Sequence, residues 1–123
     1  MRTLATVLAA AALGLISFET DAAAEKLQRL SGAQIRAKFV AMQLTDEVHW
    51  RYVYDRDGTL RSYSMGTKKA GTWAIEKDEL CLYVKERDDG CYEVSLSGER
   101  IKMKPSGLGL SVEGVLQTPV DRH

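Results

Sequence analysis

Between residues 31 and 42 the apolar positions fall at intervals of four and three. Ile35, Phe39 and Met42 form one stripe, and Arg36 and Lys38 point away from it. Ser31 and Gln34 have the spacing of a capping box, with Leu30 and Ile35 placed as a hydrophobic staple around it. This pattern predicts a helix over residues 32–42 whose apolar stripe packs on the rest of the fold. From residue 43 the period changes to two. In HWRYVYDRDGTLRSYS, Trp50, Tyr52 and Tyr54 alternate with His49, Arg51 and Val53. Asp55-Arg56-Asp57-Gly58 then turns the chain and Thr59 to Ser64 returns, with Gly58 free to take the positive φ that closes such a turn.

MGTKKAGTWAI reads as a loop with Gly66 and Gly71 at its ends, then a strand carrying Trp73 and Ile75 on one face. Lys77-Asp78 turns the chain so that Leu80, Leu82 and Val84 come back beside them, which puts Cys81 and Tyr83 on the opposite face. KERDDG turns again, and with Val84 facing Asp88 the returning CYEVSLSG sets Cys91 across from Cys81. Ile101 and Met103 share one side until Pro105 interrupts the ladder, and Leu108, Leu110 and Val112 alternate along a closing strand. The expected fold class is α+β: one N-terminal amphipathic helix packed on a rolled antiparallel β-sheet or small barrel of six to seven strands.

The first 24 residues change the picture of where this domain works. Arg2 precedes an uncharged, mostly apolar run from Leu4 to Phe18, and Ala22 and Ala24 supply small residues before Glu25. That is the layout of a secretory signal peptide. A spanning helix needs about 20 apolar residues, so the run is too short for a permanent membrane anchor. The expectation is a signal peptide over 1–24, a single small β-rich domain over 25–123, and a periplasmic or secreted location. Removing residues 1–24 leaves 16 basic against 15 acidic residues, interspersed rather than blocked. Such a balance gives no field to draw nucleic acid or anionic lipid, so nucleic acid is not an expected partner.

In an exported chain two cysteines read first as a disulfide, here Cys81–Cys91. Cys-x9-Cys is not the spacing of a thiol oxidoreductase, and only His49 and His123 are present to complete a metal site, so neither a metal nor a cofactor is expected. Asp55-Arg56-Asp57-Gly58 resembles the start of a calcium loop, but Gly66 stands where the closing carboxylate belongs. Lys68-Lys69 between glycines reads as a solvated loop tip rather than an anion site. GLGLSVEG is a glycine-punctuated strand, with its third glycine misplaced for a dinucleotide motif. His49 has no Ser or Cys placed by sequence as its nucleophile, so no catalytic residue is assigned and the chain is read as a non-enzyme. The aromatic set Trp50, Tyr52, Tyr54 and Trp73 fits either a ligand pocket or the core.

Taken together, LSGAQIR, DGT, GTWAI, LCLYV and CYEV, spread over Leu30 to Val94, resemble the pattern of a group of small exported proteobacterial proteins of unknown function. Where that group has a glycine after the first helix, this chain has Ala41-Met42. The resemblance implies an exported, disulfide-bonded, sheet-rich domain and carries over no functional residue. Small secreted protease inhibitors with a barrel and one disulfide are similar in general plan only. The functional expectation is an exported, non-catalytic binding or interaction protein of the bacterial envelope, its partner an envelope protein. The alternatives are a small-barrel binder of an apolar small ligand and a protease-inhibitor-like protein.

Overall fold

The computed structural model describes residues 26–120, so the signal-peptide reading of 1–24 lies outside the described residues. Nine strands and one helix follow in the order β1 (Gln28–Arg29), α1 (Gly32–Phe39), β2 (Gln43–Thr45), β3 (Trp50–Tyr54), β4 (Thr59–Ser64), β5 (Thr67–Glu76), β6 (Glu79–Tyr83), β7 (Gly90–Ser97), β8 (Arg100–Pro105) and β9 (Val112–Gln117). Each strand from β2 to β9 pairs antiparallel with the next, and β2 also pairs with β9, closing an eight-stranded up-and-down barrel. β6 pairs with β7 only from Leu82↔Gly90 to Leu80↔Tyr92, and β1 takes the remaining edge of β7 at Leu96 and Ser95.

The expectation of a small antiparallel barrel with one helix therefore holds. Two finer points need correction. The barrel has eight strands rather than six or seven, because the run from residue 43 is broken in two. Asp46 accepts the backbone N–H groups of Val48, His49 and Trp50, and Glu47 takes φ 72°, so the chain reverses between β2 and β3. The helix, expected to lie on a sheet face and reach residue 42, ends at Phe39, and Ala41 turns away with φ 66° while donating to the Tyr54 carbonyl. Met42 thus falls outside the helical stripe.

Local chemistry sets the hairpins. At the β3–β4 turn Gly58 takes φ 95° and donates to the Asp55 carbonyl, while Asp55 grips Arg61 through both carboxylate oxygens at 2.8 and 2.9 Å. At the β5–β6 turn Lys77 and Asp78 both hold positive φ, the requirement of a two-residue type I′ connection. The register is the one the apolar pattern demands, Trp73↔Leu82 and Ile75↔Leu80. Both turns lie at the same end of the barrel, and α1 closes that end. Ser31 caps it with a complete capping box, and Gly32 donates to Asp78 Oδ1 at 2.6 Å, binding the helix start to the β5–β6 turn. From α1, Ile35 and Phe39 are fully buried, and Phe39 meets Tyr54 edge-on, as Tyr54 does Trp73. These rings join Leu44, Leu60, Leu80, Val94 and Ile101 in one continuous core.

The other end of the barrel carries the β2–β3, β4–β5, β6–β7 and β8–β9 connections, and no helix among the described residues covers it. Cys81 and Cys91, directly opposite on β6 and β7, are joined by a disulfide at the root of the β6–β7 loop. No helix among the described residues is long and apolar enough to cross a membrane.

Candidate functional site

Two hollows of about 510 Å³ each open near the uncovered end. The first is an outer groove between the β2–β3 loop and residues 117–120, lined by Gln43, His49, Arg51, Tyr63, Met65 and Gln117 among others. Its polar groups mostly satisfy one another. Arg51 lies 3.8 Å from the centre of the Tyr63 ring and donates to Gln43, and Gln117 donates to Glu47. His49 Nδ1 is 2.9 Å from Asp46 Oδ2, which orients the ring, but no Ser or Cys lines the groove beside it.

Asp46 holds the whole β2–β3 loop. Partial desolvation opposes its ionisation, but the N–H groups of Trp50, Val48 and His49, with the His49 ring, outweigh it and keep the carboxyl far below its ordinary 3.8. A folded-state value below the unfolded one means a contribution to stability that is present above pH 3.8 and lost as the pH falls through the folded value. Asp46→Asn is therefore expected to melt a few degrees below wild type at pH 7, with the gap closing as both are titrated from pH 4 downward. A gap that ignores pH would reduce the role of Asp46 to shape alone.

The second hollow is the mouth of the barrel. Trp50 and Tyr52 from β3, Leu82 from β6, Tyr92 from β7, Met103 from β8 and Val112 from β9 form its wall. Alternation along each strand makes them inward-facing, so the lining is a direct product of the period-two pattern. The mouth is narrowed by the β6–β7 loop, which folds inward instead of standing away. Val84 is buried in the core, Asp89 accepts from Val84 N–H at 2.9 Å and Lys85 N–H at 2.6 Å, and Lys85 takes φ 65°. From this loop Glu86 reaches over the cavity, accepting from the Tyr52 hydroxyl at 3.4 Å and lying 3.6 Å from Lys69 Nζ. Tyr92 donates its hydroxyl to the Asp88 carbonyl. Burial first, then Glu86 and Asp88, raise the ionisation of the Tyr52 hydroxyl well above the tyrosine range, so it remains a donor at any physiological pH.

The four expected aromatics thus separate. Trp50 and Tyr52 line the cavity, Tyr52 also belonging to the core, whereas Tyr54 and Trp73 belong to the core over α1, where Trp73 Nε1 donates to the Asp55 carbonyl at 2.9 Å. Nothing in the sequence marks Tyr92, Met103 and Val112 as part of a site, although each falls on the inner face of its strand. Lys69, expected at a loop tip, lies instead in β5 and lines the cavity, because the strand begins at Thr67 rather than after Gly71. Leu108 and Leu110 are not in a strand. They stand exposed in the β8–β9 loop at the uncovered end.

Asp55 and Asp57, the calcium-like pair, are occupied by Arg61 and by the Thr59 N–H. Among the described residues the one grouping with metal-ligand spacing is Glu76, Cys81 and Cys91, and its sulfurs are already bonded to each other. Comparison with protein-family models, curated proteins and solved structures finds no match for this chain.

Proposed function

We propose that this protein is an exported, non-catalytic binding protein of the bacterial envelope that holds a small, largely apolar ligand in the open end of its barrel. The observation that carries the reading is the cavity of about 510 Å³ in which an apolar and aromatic side, with Trp50, Leu82, Met103 and Val112, faces a polar one made by Ser64, Lys69 and residues 85–88. Small-molecule sites are commonly concave, mostly apolar and supplied with a few convergent polar groups, and the mouths of β-barrels are a preferred place for them. The disulfide supports export, since such bonds persist in oxidising compartments.

A second reading, docking of an envelope protein, has its own support. Val48, Met65, Leu108 and Leu110, all large and all more than two thirds exposed, sit in loops of that same end.

Titration with N-phenyl-1-naphthylamine, a neutral apolar dye, separates the two. On the cavity reading its fluorescence rises to saturation, and Trp50→Ala weakens binding about tenfold, the equivalent of about 1.4 kcal/mol. A Leu108→Ser/Leu110→Ser variant binds as wild type does. Dye binding abolished by the leucine changes and indifferent to Trp50 would favour the exposed loops and the docking reading.

A further inference from the structure

The cavity wall contains a row of hydrogen-bond donors whose partners do not fit it. Tyr52 on β3 stands opposite Ser62 on β4, and Ser62 stands opposite Lys69 on β5, so the three occupy one line across three strands. Tyr52 and Lys69 line the cavity, and Ser62 lies between them in the inward alternation set by Leu60 and Ser64. Ser62 is 1% exposed and its Oγ has no hydrogen-bond partner among the described residues. A buried hydroxyl left in this state costs free energy that a fitting acceptor would recover. The acceptor now present is Glu86, and it serves the row badly. It lies at the outer limit of a hydrogen bond from Tyr52, at ion-pair rather than hydrogen-bond distance from Lys69, and makes no bond to Ser62. It also reaches the row from a loop rather than from the barrel wall.

We propose that the ligand is an apolar monocarboxylate whose carboxylate displaces Glu86 from Tyr52 and Lys69, while its hydrocarbon part lies along Trp50, Leu82, Met103 and Val112. This deepens the binding reading above and rests on it. The charge of the site selects the sign. With Glu86 turned outward, Lys69, Lys85 and Arg87 face the mouth against Asp88, an excess of positive charge. An amine would have to compete with Lys69 for Glu86 in a row built of donors, whereas a carboxylate accepts from both members that line the cavity, Tyr52 and Lys69. Glu86 acts as an internal stand-in for the ligand's head group. It keeps Lys69 paired until a better-fitting acid arrives.

The test uses three molecules with one chain, decanoate, 1-decanol and decylamine, each titrated against the dye-loaded protein at pH 7.5. Decanoate is expected to displace the dye at concentrations at least about tenfold below the other two. Lys69→Met should bring decanoate down to the level of decanol without changing decanol itself. Glu86→Gln, which removes the internal competitor's charge, should tighten decanoate several-fold. Both substituted side chains reach solvent, and a melting curve on each variant verifies that it is folded. Equal displacement by decanoate and decanol would overturn the acid assignment and leave the cavity reading standing. Decylamine binding best would reverse the sign of the site, and weaker decanoate binding in Glu86→Gln would overturn displacement. A protein that binds neither the dye nor any of the three would remove the cavity reading and this proposal with it.

Discussion

Gly71→Ala is expected to destabilise the domain by about 3 kcal/mol, an overpacking cost at the upper end of the usual range. A Cβ at this position would lie 1.9 Å from the Tyr83 carbonyl oxygen and 2.7 Å from both Cα and Cγ1 of Val84. The obstacle is mostly backbone, so no side-chain rotation relieves it. β6 would have to separate from β5 where the chain leaves the barrel wall to fold inward, and the β6–β7 loop would be pushed off the cavity. At about 4–8 °C per kcal/mol for a domain of this size, the melting temperature should fall by more than about 10 °C. Dye and decanoate binding should weaken with it. Gly107→Ala provides the control, because no atom lies within 4 Å of its added Cβ and its φ is not in the left-handed region. A Gly71→Ala protein that melts with wild type would contradict the close approach of Val84 to β5.

The second large effect belongs to the disulfide. Replacing Cys81 and Cys91 together by alanine opens a loop of 11 residues, whose closure is worth somewhat under about 3 kcal/mol in the chain-entropy account. The expected loss in melting temperature is about 10–20 °C. The position of the bond adds a local consequence. β6 and β7 share only three paired positions, and the cystine is the middle one, so it pins a short ladder directly beneath the cavity loop. Cys81 is fully buried but Cys91 is partly exposed, so dithiothreitol attacks from the Cys91 side and should lower the melting temperature of the native protein as the double substitution does. Calorimetry of the double variant beside wild type measures the loss. A shift of less than about 4 °C would mean that the rest of the barrel already fixes this ladder.

What the sequence disclosed was local. The β3–β4 and β5–β6 turns and the pairing of Cys81 with Cys91 follow from residues within a dozen positions of one another, where turn chemistry and alternation leave one register. Features that depend on distant parts of the chain were hidden. β1 is two residues long and exists because β6 stops short along β7, which no pattern at Gln28 announces. Gly71 looks like a loop boundary by composition, yet it is mid-strand and is needed by Val84, 13 positions later. Leu108 and Leu110 alternate as a strand would, but glycines at 107 and 109 supply nothing to pack between them, and the ladder to β8 starts at Val112. The site was half legible for the same reason. Trp50 and Tyr52 follow from alternation, whereas Lys69 and Glu86 meet only because a loop folds inward over the wall.

Closure of the barrel also limits how another protein can approach it. A common way for one chain to hold another is to extend its sheet, the guest lying as an extra strand along an unpaired edge. From β2 to β9 each strand has a neighbour on both sides, and the stretch of β7 beyond β6 is covered by β1. Among the described strands two borders stay open, the outer side of β1, two residues long, and residues 67–71 of β5, which pair with β4 but lie beyond the end of the β6 ladder. A guest strand therefore finds only these short stretches to lengthen. A protein partner would mainly have to recognise side chains and loop shapes at the barrel's ends, and borders this short also give its own copies little template for stacking into fibrils.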